Sequence, residues 1–368
     1  MLLDFLRHGL DLPLTERVVG GADSQGSHNN VTLSATIQHP VTAAAAAVVN
    51  ARREIIDFAM ERGRHEEFQG REDLLAKLDK MLDGRRRGYV LLTGGPGMGK
   101  SAILNEWLKR RERVGEVVPH HFLRRGQLNW DQPETVVLNL AAQIERTFPA
   151  QRDLDAQPEV RLRDLLARVS AQVLEPQKER LILLLDGLDE AMAAQGENPL
   201  PKFIPYNIPP GVLLLCASRP EYPNLSWLKA RDGACSPLDL DAPAWSASNH
   251  AACEAFWKAQ LFEPSLSAEL MAQALVCGAG NLLYAVKLRD HLQDLDVAQR
   301  EVVVLPTGLA GLLEGMWLRF LSQQEHWPLL ERGLGLLCAA REALPVAEMD
   351  RLLGGVRERE RVLGVVRQ

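Results

Sequence analysis

The 368-residue sequence has no C-x-x-C pair, no surplus of basic side chains and no apolar run near the length of a membrane span. Each absence removes a class of function. The five cysteines, Cys216, Cys235, Cys253, Cys277 and Cys338, follow no regular spacing, so they read as reduced thiols of a cytoplasmic protein. Cys216 stands within an aliphatic stretch, where a thiol behaves as a small buried hydrophobe. A formal charge of −6 and an isoelectric point near 5.9 argue against a general nucleic-acid binder. The basic clusters, Arg85-Arg86-Arg87 and Lys109-Arg110-Arg111 with Arg113, lie beside acidic residues or at a helix end and read as solvated faces. The start lacks a signal-peptide pattern and nothing is long enough to span a bilayer, so no membrane role is expected. There is no internal repeat.

Glycine, in contrast, is concentrated where it carries chemistry. Gly94-Gly95-Pro96-Gly97-Met98-Gly99-Lys100-Ser101 fits G-x-x-x-x-G-K-[ST], the phosphate-binding loop. Gly88 to Thr93 reads as a short buried strand before it. After it, Ile103, Leu104, Trp107 and Leu108 share one helical face. Strand, glycine loop and helix is the setting that the motif requires. Glycines let backbone N–H groups curl round a phosphate, and the helix N-terminus adds its free donors and positive dipole end. The expected cradle is Gly94, Gly95, Gly97, Met98, Gly99, Lys100, Ser101 and Ala102. Lys100 would reach the β- and γ-phosphates, and the Ser101 hydroxyl would hold Mg²⁺. Without its flanks the same stretch would be a glycine-rich turn opening a helix.

Two further strand ends supply the remaining chemistry. Leu181 to Leu185 is a run of five large aliphatics, suited to a central parallel strand buried on both faces. It ends in Asp186-Gly187-Leu188-Asp189-Glu190. Ligands of open α/β sheets sit beyond the carboxyl ends of such strands, where Asp186 would bind Mg²⁺ or its water shell. Asp189 and Glu190 would polarise an attacking water, or else simply open the next helix, where acidic side chains favour the dipole. Val212 to Ala217 is a second buried run and ends in Ser218-Arg219-Pro220. Arg219 would sense the γ-phosphate, or else be a surface arginine in a turn set by Pro220.

Together these motifs resemble the signal-transducing NTPases of the STAND class and, within it, the NACHT-type branch. That branch writes its acidic strand as hydrophobics followed by D-G-x-D-E, as at Asp186 to Glu190. Ser218-Arg219-Pro220 is similar to the family's first sensor. Phe68-Gln69-Gly70-Arg71-Glu72 resembles the segment whose backbone frames the adenine, which brings Phe68 into the expected nucleotide site. His120-His121-Phe122-Leu123 fits the second core strand and makes those histidines packing residues. Gly278 to Ala285 resembles the G-x-P-L segment of the helical lid, with Leu282 where many relatives carry proline. Leu305 to Leu309 resembles the start of the winged helix. The family also places a histidine, late in that domain, on the β-phosphate of bound ADP; no candidate for it is found before Gln368, so the chain is expected to stop inside the domain.

The resemblance implies an AAA+-like α/β core with a parallel sheet. The expected organisation is an N-terminal linker or module remnant at 1–65, with an alanine-rich helix from about Val41 to Met60. A P-loop NTPase core follows at 66–230, a helical lid at 231–305 and a partial winged helix at 306–368. Within the core, Asp131-Gln132-Pro133-Glu134 is a helix start with Asp131 as the cap. From about Leu238 helical periodicity replaces strand signals, including a helix from about Leu266 to Cys277 stopped by Gly278. The implied function is an ATP/ADP switch with slow Mg²⁺-dependent hydrolysis through Lys100, Asp189, Glu190 and Arg219, and with nucleotide-dependent self-association. Its trigger and effector partners are unspecified, and defence or cell-death signalling is the family's field. The competing reading is a binding module that holds ADP structurally without turnover. A metabolic kinase would need an acceptor pocket, which the Ser-Arg-Pro element and helical lid speak against.

Overall fold

Five parallel strands in the order β2-β3-β4-β1-β5 form the sheet at the centre of the chain. They are β1 (Gly88–Thr93), β2 (His120–Phe122), β3 (Leu181–Asp186), β4 (Val212–Ser218) and β5 (Leu238–Asp239). The computed structural model describes residues 55–322, apart from 67, 128, 153–157, 195, 232–236 and 263–264, together with residues 346–355. The expected N-terminal module up to residue 54, most of the alanine-rich helix, and the winged-helix segments at 323–345 and 356–368 lie outside the described residues.

The unbroken aliphatic runs follow from burial on both faces of the sheet. Tyr89, Leu91, Leu181, Leu183, Leu185, Val212, Leu214 and Cys216 face one apolar cluster; Val90, Leu92, Ile182, Leu184, Leu213, Leu215 and Ala217 face the other. Side chains alternate with period two, so a doubly covered strand needs an apolar residue at every position. The second cluster is closed by α1 (Glu72–Asp83) and α2 (Lys100–Arg113). The first is closed by α3 (Pro133–Thr147) and α4 (Pro158–Val169). In α2 the buried face carries Ile103, Leu104, Trp107 and Leu108, the spacing expected of a 3.6-residue period. Truncating any of these to alanine would cost about 2–5 kcal/mol.

Two local expectations are corrected. Helix α3 has Gln132 at its N-cap with no side-chain cap, because Pro133 at the first turn presets φ and carries no N–H to satisfy. Asp131 instead offers its carbonyl to the Met192 N–H at 2.7 Å. Past the core, Leu238 and Asp239 form β5 beside Leu92 and Thr93 of β1, where helical periodicity was expected to have taken over. Two residues are too few to show a period.

Four helices follow: α5 (Ser246–Ala259), α6 (Ala268–Gly278), α7 (Leu282–Gln293) and α8 (Val297–Val302). Cys253, Phe256, Trp257, Leu270, Ala274, Tyr284, Leu288 and Leu292, from the first three of these, make a shared core. Ser267 caps α6 by accepting from Leu270 N, and α6 ends at Gly278, with Ala279 left-handed at φ 47°. Helix α9 (Gly308–Ser322) adds Leu312 to the same cluster. The described residues up to 322 belong to one compact unit, and the helix Val346–Leu353 belongs to another.

Candidate functional site

Topology assembles the site before any side chain is considered. β4 lies between β1 and β3, so its end falls between the glycine loop after β1 and the acidic turn after β3. The loop turns on Gly97 and Gly99, both left-handed at φ 80° and 83°, and α2 begins at Lys100. Lys100 Nζ donates to the carbonyls of Gly94 (2.5 Å) and Gly95 (3.0 Å). Burial lowers its pKa, while Asp186 and Asp189 work in the opposite direction. Ala102 and Met98 are buried, Met98 in the apolar cluster between α1, α2 and β1. Phe68 packs half-buried against that same cluster.

At the metal position, Ser101 Oγ donates to Asp186 Oδ2 at 2.6 Å, and Asp186 is 1% exposed. One hydroxyl and one carboxylate are hard oxygen donors of the kind Mg²⁺ uses when phosphates complete its shell. Among the described residues no three His, Cys, Asp or Glu side chains form a metal cage. A cation already bridges the pair. Arg124 Nη2 donates to Asp186 Oδ2 (2.7 Å) and to Ser101 Oγ (3.1 Å). Ser101 and Asp186 therefore fit the ion, and they would hold it on loss of the arginine contact.

The two candidate catalytic carboxylates lie on the turn Leu188–Glu190, which follows left-handed Gly187. Asp189 Oδ1 accepts from Arg219 N (3.0 Å) and Ser218 Oγ (3.3 Å), and its Oδ2 lies 3.1 Å from Arg219 Nε. Glu190 Oε2 accepts from Arg125 N (3.2 Å), and Oε1 faces Arg124 Nη1 at 3.4 Å. Burial raises the Glu190 pKa, only partly offset by Arg124 and by the Arg125 N–H. A carboxyl held above its usual range is suited to proton transfer. The structure thus brings Lys100, Ser101, Asp186, Asp189, Glu190 and Arg219 together beyond the carboxyl ends of β1, β3 and β4.

Four participants escape the sequence reading. Arg124 was not distinguished from its neighbour Arg125. Asp241, just after β5, accepts from Gly95 N at 2.7 Å. Arg71, left-handed at φ 61° and 4% exposed, donates from Nη1 to Met98 O at 2.5 Å. Its Nε and Nη2 are buried without a partner among the described residues, and burial lowers its pKa. Asn281, the N-cap of α7, donates to Pro96 O at 2.8 Å, and Leu283 N donates to Gly97 O at 3.1 Å. A Cβ on Gly97 would collide with both lid residues. Arg71 lies in the stretch expected near the adenine and Asn281 in the expected lid segment, but neither was singled out; Arg124 and Asp241 gave no signal.

No curated protein matches the sequence. Among solved structures, Aeropyrum pernix Orc1 in complex with DNA superposes with a TM-score of 0.42 at 15% identity, covering 81% of this chain and 82% of that one. Pyrobaculum aerophilum Cdc6p gives 0.40 at 13% identity, covering 79% and 80%. A Thermotoga maritima RuvB variant gives 0.34 at 12%, covering 78% and 83%. No helix among the described residues is long and apolar enough to cross a membrane. Residues 67–204 match the AAA ATPase domain family; the phosphate loop after β1, the acidic end of β3 and the parallel sheet give the core of this chain the P-loop NTPase fold.

Proposed function

We propose that the chain is a nucleotide-operated switch of the NACHT type: it binds ATP or ADP with Mg²⁺, hydrolyses ATP slowly, and changes its self-association with the nucleotide held. The observation that carries this reading is the direct bonding of lid to loop. Asn281 and Leu283 donate to the carbonyls of Pro96 and Gly97, inside the segment that would wrap the phosphates. A phosphate-induced shift of that loop would be felt by α7 through two hydrogen bonds, and only differential contacts of this kind let a ligand move an equilibrium. The expected slowness has a basis too. Asp189 is paired with Arg219, and Glu190 is engaged by Arg124 and Arg125, so neither carboxylate is free to orient water in this arrangement. A place in defence or cell-death signalling follows from the NACHT resemblance.

Those same pairings favour the second reading, a module that keeps ADP as a structural ligand and never turns over. Mass spectrometry of the nucleotide carried by the purified protein, followed by single-turnover hydrolysis, separates the two. The switch predicts exchange of ADP for ATP and its conversion to ADP over minutes to hours. Retained ADP with no exchange and no conversion would leave the structural-ligand reading.

A further inference from the structure

Arg124 is shared among more partners than a metal-site neighbour needs. It is 8% exposed, and besides Asp186, Ser101 and Glu190 it donates from Nε to Glu61 Oε1 at 2.7 Å. Glu61 lies outside the nucleotide core, on a short helix, Ala59–Gly63, and is 4% exposed. That helix is fixed in place. Phe58 sits among the rings of His120, His121, Phe122 and Trp130, with centroids 4.8–5.8 Å away. Ile56 N donates to Asn139 Oδ1 at 2.9 Å, and Arg62 and Asn105 exchange two hydrogen bonds of 3.1 Å between this helix and α2. A buried carboxylate on a pinned helix therefore holds Nε of the guanidinium, while Asp186 holds Nη2.

We propose that Glu61 is a positioning residue of the metal site: it retains the Arg124 guanidinium when a divalent cation takes Asp186, and so sets how much Mg²⁺ the nucleotide site requires. The proposal rests on the reading of Ser101 and Asp186 as the Mg²⁺ ligands. The physical argument is competition. Asp186 Oδ2 serves Arg124 at 2.7 Å, and a cation bound there displaces the guanidinium and then repels it. The displaced arginine stays buried, and an uncompensated buried charge is costly. Glu61, which holds Nε and not the Nη2 that serves Asp186, is positioned to neutralise it. With Glu61 uncharged, Arg124 depends on Asp186 and Glu190, competes harder with the ion and repels it without compensation. The segment preceding the core thereby gains a hold on the cation state of the site, and coupling of this kind is reciprocal.

The test is the Mg²⁺ dependence of binding of a fluorescent non-hydrolysable ATP analogue, measured with Mg²⁺ titrated from EDTA. Glu61→Gln should need about three- to tenfold more Mg²⁺ to reach half of the metal-dependent tightening, with affinity in EDTA within about twofold of the parent protein. Arg124→Gln should shift the midpoint the other way, and the double variant should follow Arg124→Gln alone, because Glu61 acts only through Arg124. Should Glu61→Gln fail to fold, Glu61→Asp, which keeps the charge one methylene short, should move the midpoint upward by less. An unmoved midpoint in the folded Glu61 variant overturns the proposal, as does a shift that persists in the Arg124→Gln background. Absence of any Mg²⁺-dependent analogue binding by the parent protein overturns the nucleotide-switch reading itself, which is a distinguishable failure.

Discussion

Lys100 rests its ammonium on the carbonyls of Gly94 and Gly95, the loop it would leave to meet a phosphate. Its removal costs little in the fold, since the side chain closes no apolar cluster, but it deletes the cation expected on the β- and γ-oxygens. Lys100→Ala should weaken ATP binding by about 2 kcal/mol or more, roughly thirtyfold, the range for a lost charged hydrogen bond. Titration calorimetry on a protein with unaltered circular dichroism reads it, and unchanged affinity would remove the phosphate-loop assignment. The two acidic positions separate differently. Asp186 shares its oxygen between Ser101 and Arg124, so Asp186→Asn should lose the Mg²⁺-dependent part of nucleotide affinity. Glu190 touches neither Ser101 nor Lys100 in any bond seen here. Glu190→Gln should keep ATP affinity within a few fold while slowing single-turnover hydrolysis by about 10²–10⁴, the usual worth of a general base. Equal loss of binding in both variants would make Glu190 a ligand.

Strand β2 shows how an element can be built on a neutral histidine. His121 is fully buried; its Nε2–H donates to Trp130 O at 2.8 Å, and Nδ1 accepts from Asn139 Nδ2 at 3.0 Å. A proton added to Nδ1 would oppose an amide N–H. Burial, only partly offset by the Trp130 carbonyl, depresses its pKa to about 4, and His120 is lowered by burial as well. The unfolded chain then binds more protons between the unfolded value near 6.5 and about 4, so stability is full above that window and falls as pH drops through it. His121 alone should account for on the order of 3 kcal/mol once pH is below 4. Glu61, held at about 2 by His65, Arg124 and Arg64 against the effect of burial, should add a separate loss below about pH 4.5. Urea midpoints measured from pH 7 to pH 4 check the first window; a flat profile would mean that His121 is not held neutral. The histidines also mark what a sequence discloses. Their packing role came from the resemblance to the family's second core strand, whereas the phosphate loop and the two aliphatic strands were legible directly, because fixed spacing and unbroken runs are local signals. Arg124 was not: its partners Glu61 and Asp186 stand 63 and 62 positions away, and nothing local separates it from exposed Arg125. β5 was missed because its two residues have no period, and Asp241 because its partner belongs to a loop 146 positions earlier.

Lid and core meet at a residue with two separable duties. Asn281 Oδ1 caps α7 by accepting from Tyr284 N at 3.0 Å, while Nδ2 donates across to Pro96 O at 2.8 Å. Helix caps accept several side chains, so Asn281→Ser and Asn281→Asp should both preserve α7 at a cost within about 1 kcal/mol. Neither can make the cross-contact: serine is too short, and aspartate sets a carboxylate against a carbonyl oxygen. With the longer contact of the same Nδ2 to Met98 Sδ and the bond from Leu283 N to Gly97 O, the cross-contact is one of the bonds by which the loop could report its occupant to the helical segment. If nucleotide state governs assembly through the lid, these variants should bind nucleotide nearly as the parent does, yet lose most of the ATP-dependent change in mass. Sedimentation velocity with ADP and with a non-hydrolysable ATP analogue, at matched saturation, reads both quantities. A parent protein whose mass ignores the nucleotide would end the assembly part of the switch. Variants that still respond fully would move the coupling to Leu283 or to another lid contact, because a ligand shifts an equilibrium only through contacts that differ between its two states.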